Sequence, residues 1–276
     1  MTTLSASTAR RSPITTARWA VVDSWTVAKR NLLHVASAPE QLVGIIAMPI
    51  IFIVLFGYVF GSAITVPGGN YREFLMAGIF AQSMGFLAAG AAVGAANDMT
   101  KGVMDRFRTL PMSRAAALTG RAVGELIMAL FGIAVMSVVG LVAGWGAHRG
   151  ILPTVEGYAL LGLFGFSMNW IGTVIGLSVR SVEAADTIGM ASIFPLTFLA
   201  NSFVPSAGLP DWLRPLAEWN PVSAVVAACR DLFGNPGGPT HGAWSLQHPV
   251  ATTLLWCAAI LAVTVPIALR KFRDAA

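Results

Sequence analysis

The sequence predicts an all-α polytopic membrane protein, and three observations predict it. First, 55% of the 276 residues are hydrophobic and only 11% are charged, where soluble domains carry about 25% charged residues. Second, the apolar residues fall in runs long enough to cross a hydrocarbon core of ~30 Å, which takes about 20 helical residues. Third, lysine and arginine collect on alternate connections between those runs, as they do in chains that thread a bilayer. The expected architecture is six transmembrane helices with an N-terminal amphipathic interface helix, a charged cytoplasmic helix and an outer re-entrant helical hairpin.

Residues 1–17 are rich in Ser and Thr, carry Arg10 and Arg11, and read as a flexible cytoplasmic tail. Residues 18–276 form one transmembrane domain. Over 18–38, Val21, Trp25, Ala28, Leu32 and Val35 share one helical face, while Asp23, Arg30 and His34 share the other. A helix so patterned lies in the membrane interface. Spans are expected at about 42–62, 74–96, 116–145, 157–178, 186–204 and 249–269. Pro195 interrupts the fifth and is expected to kink it.

Orientation follows from the 18 basic residues. Arg10, Arg11, Arg18, Lys29, Arg30, Lys101, Arg106, Arg108, Arg114, Arg121, Arg180, Arg270, Lys271 and Arg273 fall on one side. Only Arg72, Arg149, Arg214 and Arg230 fall on the other. Positive charge is retained inside, so both termini are expected in the cytoplasm.

The stretch "NDMTKGVMDRFRTLPMSRAAALTGR", residues 97–121, interrupts two apolar runs with seven charges. It can serve as a solvated loop that fixes topology. It is also organised: Asp98 can cap a short helix through about Arg108, Pro111 ends it, and Ser113 can cap the next span. The second unusual region is 205–248, too polar and Pro-broken to span yet too apolar for a free loop. Two short helices dipping into the outer leaflet fit it, broken near Asn220-Pro221 and ended by Gly234-Asn235-Pro236. Trp212, Trp219 and Trp244 suit the headgroup layer.

Several chemistries are excluded. No GxxxxGK[ST] phosphate loop occurs, and no HExxH or His/Cys cluster offers zinc ligands. The four histidines lie on different segments or in flexible outer parts, away from mid-span, which argues against an intramembrane serine protease. Cys229 and Cys257 fit no metal spacing and are expected to remain free thiols. Ion-coupled transport needs ionisable groups at membrane depth. Glu125 sits a turn or two inside the third span, four residues from Arg121, where an i,i+4 pair or a snorkelling side chain accounts for it, and Glu183 and Asp186 flank a tight cytoplasmic turn. GxxxG spacings at Gly57/Gly61, Gly90/Gly94, Gly140/Gly144 and Gly172/Gly176 read as general tight packing.

This layout resembles the membrane permeases of type-2 ABC transporters, especially the daunorubicin-resistance-type drug exporters, over nearly the whole chain. Two motifs carry the likeness. One is the charged helix followed by Gly102, Leu110, Pro111, Ser113 and Arg121, with Thr100-Lys101-Gly102-Val103 standing where the family has a Glu-Arg-Gly-Thr-like run. The other is Pro205, Leu209-Pro210-x-Trp212-Leu213, Asn220-Pro221, Arg230 and Gly234. The resemblance implies a permease with no ATPase of its own, partnered by a second permease subunit, identical or sister, and by separate nucleotide-binding subunits that carry ATP and Mg. It implies that residues 98–110 are a coupling helix docked on the ATPase, through Asp98, Gly102, Met104, Asp105, Arg106, Phe107, Arg108 and Pro111. Met104 and Phe107 would be its apolar anchors, with Asp105, Arg106 and Arg108 at the rim. The hairpin residues Pro205, Pro210, Trp212, Trp219, Asn220, Pro221 and Arg230 would shape the exit side.

The expected function is therefore export of amphipathic drugs or lipids across a bacterial plasma membrane. The lack of mid-span charge favours an apolar path. A permease for a glycan or glycolipid, a stand-alone secondary transporter and a membrane scaffold are the competing readings.

Overall fold

The computed structural model describes residues 47, 50–60, 66, 70–101, 114–203, 209–237 and 243–274. Among the described residues the regular elements are all helical. α1 (Ile50–Val59) is short and apolar, and its last turns, Leu55–Phe60, widen into a π-helix. α2 (Tyr71–Thr100) starts at Asn70, whose side chain accepts from the Arg72 amide. α3 (Arg114–Val142) and α4 (Ile151–Gly176) follow. α5 (Val182–Phe198) is capped by Ser181, which accepts from the Ala184 amide. Then come α6 (Arg214–Glu218), α7 (Pro221–Phe233), α8 (Trp244–Gln247) and α9 (Pro249–Asp274).

Four of these helices, α2, α3, α4 and α9, are long and apolar enough to cross a membrane. α5 has 17 residues, short of the ~20 that a span takes. It begins at Val182 and ends at Phe198, where the sequence led us to expect 186–204. α3 stops at Val142 rather than 145, because the chain turns through Gly144 at φ +92°. The interface helix expected over 18–38, and residues 42–46, 48, 49, 61 and 62 of the span expected over 42–62, lie outside the described residues.

α2 is the central helix, buried along most of its length from Tyr71 to Ala96. α4 packs against it through a glycine notch. A Cβ on Gly172 would stand 1.9 Å from the Ala88 carbonyl oxygen, and one on Gly176 would stand 2.3 Å from that of Ala92. No side chain fits there, so the glycines let two backbones meet. α5 lays the single stripe Ala185, Gly189, Ile193 and Thr197 inward, at i+4 spacing. α3 and α9 sit outside, and their outward faces present Phe131, Val138 and Leu141, and Leu254, Leu255 and Val263. A helix apolar on its outward face is suited to lipid.

Contacts sort the bundle into two ends. At one end Leu118 of α3, Trp170 of α4 and Ala268 and Phe272 of α9 pack together with Met99 of α2. At the other, His148 after α3 bonds Glu73 of α2 at 2.8 Å, and its amide donates to the Phe233 carbonyl of α7 at 2.7 Å. The second end holds Arg72, Arg149, Arg214 and Arg230, the four basic residues that the sequence set apart. Each is engaged there. Arg72 donates to the Ala143 carbonyl and lies over the Tyr58 ring. Arg149 pairs with Asp231, and Arg214 with Asp211, both at 3.0 Å. Arg230 is described below.

Candidate functional site

The first candidate is an ion-paired cluster near the Met99 end. Arg121, two turns into α3, is 9% exposed. Its Nε and Nη2 both donate to Glu125 Oε1 at 2.8 Å, one helical turn along. Its Nη1 donates to Asp98 Oδ2 at 2.8 Å, and Nη2 also reaches the Ala91 carbonyl at 3.3 Å. Asn169 of α4 donates through Nδ2 to the other oxygen of Glu125. The guanidinium thus ties α3 to α2, and Glu125 carries the network on to α4. Gly94 makes the seat, since a Cβ there would stand 1.9 Å from Arg121 Nη2. Forked, charge-assisted bonds of this kind are the strong ones among protein hydrogen bonds.

The second candidate is the hairpin of α6 and α7. Asn220 separates the two helices: its Oδ1 accepts from the Val222 amide at 2.8 Å, and its Nδ2 donates to the Leu196 carbonyl of α5 at 2.7 Å. Pro221 occupies the first turn of α7, where a missing N–H costs nothing. Gly234 ends α7 in the left-handed conformation at φ +71°. Val222, Val225, Val226, Cys229 and Phe233 are buried against the core. Phe233 meets Trp145 edge-on at 5.6 Å between centroids. Asn235 then accepts from Trp145 Nε1 and donates to the Gly146 carbonyl, both at 2.8 Å. The opposite face is open: Trp212 is 73% exposed and Trp219 is 53%.

Arg230 pegs the hairpin to the bundle. Only 2% exposed, it donates to the Phe74 carbonyl at 3.0 Å, to Asn201 Oδ1 at 3.2 Å and to the Ser202 carbonyl at 3.2 Å. Its guanidinium carbon lies 3.4 Å from the Phe74 ring centre. Tyr71 adds a bond to the Phe203 carbonyl at 3.1 Å. So α7, the start of α2 and the turn after α5 are held as one unit.

Comparison with known proteins decides the family. The sequence profile described as ABC-2 type transporter matches residues 23–233. The chain belongs to the ABC-2 type transporter family. It is 31% identical over 245 residues to the daunorubicin resistance ABC transporter permease protein DrrB1 of Streptomyces coeruleorubidus, covering 89% of this chain and 84% of that protein. It is 25% identical to the probable doxorubicin resistance ABC transporter permease protein DrrC of Mycobacterium tuberculosis, over 92% of this chain and 89% of that one. It is also 25% identical to the putative transport permease ycf38 of Cyanophora paradoxa, over 85% and 80%. Family membership and the apolar helices together make it a multi-pass membrane protein.

Against this ABC-2 frame the expected site residues divide. Gly102, Met104, Asp105, Arg106, Phe107, Arg108, Pro111 and Pro205 lie outside the described residues. Asp98 was expected to cap a cytoplasmic helix. It sits instead in the last turn of α2, with its carboxylate committed to Arg121, because α2 runs on to Thr100. Pro210, Trp212, Trp219, Asn220 and Pro221 lie in and around α6 and the start of α7, and Arg230 is wholly inside the fold and presents nothing to a surface. Sequence reasoning paired Glu125 with Arg121 and missed Asn169. A polar residue in the apolar run of α4 was the signal for it. Cys229 and Cys257 are free and buried.

Proposed function

We propose that this chain is the permease subunit of an ATP-driven exporter that moves amphipathic drugs or lipids out of a bacterial cell. The observation that carries the reading is its likeness to a daunorubicin resistance permease over most of both chains. The permease has no ATPase of its own and works with a separate nucleotide-binding subunit, which holds ATP and Mg, and with a second permease subunit. It crosses the plasma membrane six times, with α1 and α5 belonging to the two spans that the four long helices do not supply. Both termini and the Asp98 end face the cytoplasm, and the hairpin end faces out, in keeping with the charge asymmetry.

Residues 98–110 are the docking segment for the ATPase, with Met104 and Phe107 as anchors. The hairpin shapes the exit, where Trp212 and Trp219 are open to the interface. An amphipathic, planar substrate suits the exposed side of α5, where Phe194 and Phe198 stack at 4.2 Å and Phe198 stands 6.4 Å from Phe52 of α1. Aromatic faces give such a molecule an apolar surface to stack on. The test is to purify the chain from cells expressing the candidate ATPase and measure ATP hydrolysis in lipid. Co-purification with hydrolysis that rises on adding an anthracycline is expected. A chain that purifies without the ATPase and still transports would overturn the reading.

A further inference from the structure

We infer that the hairpin holds the headgroup of a phospholipid that carries both a phosphate and a primary ammonium, with Arg214 on the phosphate and Glu218 on the ammonium. α6 begins at Arg214 and ends at Glu218. Residues at i and i+4 share a helix face, with Cβ atoms about 5–6 Å apart, and opposite charges so placed ordinarily pair. Here they do not. Arg214 turns its Nη2 to the Asp211 carboxylate at 3.0 Å and to the Leu209 carbonyl at 3.2 Å. Its Nε is buried and donates to nothing. Glu218 is 7% exposed, and its Oε1 is likewise buried and accepts from nothing. The Ser245 hydroxyl donates to the Glu218 backbone carbonyl at 2.7 Å, so α8 is tied to this end of α6 and leaves that carboxylate oxygen unmatched.

A charged donor and a charged acceptor that have both given up water for no partner are costly to bury. A ligand that relieves both must bring an acceptor and a donor about one helical turn apart. A simple amine would leave Arg214 Nε unmatched, and a simple anion would leave Glu218 so. A metal ion takes several ligands, and among the described residues no group of three or more His, Cys, Asp or Glu gathers to supply them. A phosphate joined to a primary ammonium by a short carbon link meets both needs. Its oxygens accept from the guanidinium, and its N–H groups donate to the carboxylate. The rest of α6 sets the pair where such headgroups are. Trp212, Leu216 and Trp219 stand exposed around it, an apolar and aromatic surface suited to the membrane interface. The headgroup enters as the Arg214 side chain, 26% exposed, rotates aside. The inference needs the hairpin end to meet a headgroup layer and does not need an ATPase.

The full chain in detergent is mixed with equal amounts of phosphatidylethanolamine, phosphatidylcholine and phosphatidylglycerol, and the lipid retained on the intact protein is read by native mass spectrometry. Phosphatidylcholine has the phosphate but no N–H on its nitrogen, and phosphatidylglycerol has no ammonium. Phosphatidylethanolamine is expected to be retained about tenfold over either, the worth of one charge-assisted hydrogen bond. Glu218→Gln keeps the shape and removes the charge. It is expected to bring phosphatidylethanolamine down to the level of phosphatidylcholine and to leave phosphatidylglycerol unchanged. Arg214→Gln is expected to lower all three. Equal retention of phosphatidylethanolamine and phosphatidylcholine by the parent chain overturns the inference. A parental preference surviving in Glu218→Gln also overturns it, by leaving a buried water as the occupant, and so does unchanged retention in Arg214→Gln. Dodecylamine, which has no phosphate, retained as tightly as phosphatidylethanolamine overturns it by making Glu218 a trap for amines in general. If Glu218→Gln does not fold, the parent chain's choice between phosphatidylethanolamine and phosphatidylcholine decides alone.

Discussion

Arg230 shows how far a single side chain can differ from its sequence signature. In sequence it is a cation in a region expected to form two short helices at the outer leaflet, where it would shape the exit side. In the fold it is one of the largest fully buried side chains, because three carbonyl oxygens and an aromatic face replace its water. Those oxygens come from residues 28 to 156 positions away, and no local pattern encodes such a meeting. Removing the guanidinium strands the oxygens as well as the packing. Arg230→Met is therefore expected to destabilise the protein by about 3 kcal/mol, and Arg230→Lys to recover less than half of that. Thermal unfolding in detergent, followed by tryptophan fluorescence, checks both.

At the scale of elements, the sequence was most legible where local chemistry dictates the outcome. Asn220-Pro221 begins a helix and Gly234 ends it, because an amide cap, a missing N–H and a left-handed backbone each act within a few residues. The glycine spacings were less legible, since GxxxG says that helices can approach but not which ones. Gly172 and Gly176 prove to serve α2 within the same chain, whereas nothing stands within 4 Å of a Cβ on Gly90. The two positions should respond oppositely to the same change. Gly172→Ala forces backbones apart and is expected to cost about 1–3 kcal/mol. Gly90→Ala meets open space and is expected to be neutral or to stabilise by up to about 1 kcal/mol through helix propensity. Paired melting curves separate them.

At the scale of the whole molecule, the division into two ends follows the distribution of charge. Among the described residues, Arg72, Arg149, Arg214 and Arg230 gather at the hairpin end, and Lys101, Arg121 and Lys271 at the other. Composition and hydropathy were enough to read a helical membrane protein and its charge sides. They could not show that α5 is too short to count as a span by length, because its apolar run continues past Phe198 into residues that turn back toward α7. Membrane sidedness can be tested directly with single cysteines, since Cys229 and Cys257 are buried. Cysteine at Asp211, whose side chain is 94% exposed, should label with an impermeant thiol reagent on intact cells, and cysteine at Ser7 should label only after lysis. The reverse pattern would invert the topology.

The central claim, that a separate ATPase drives this permease, is tested most directly in inside-out vesicles that carry the chain and its ATPase. Anthracycline uptake is read by fluorescence quenching, with ATP and with a protonophore. The account predicts uptake that requires ATP, survives the protonophore and is abolished by Phe107→Ala, which leaves every charge in place. Uptake that persists without ATP, or that the protonophore collapses, would contradict it.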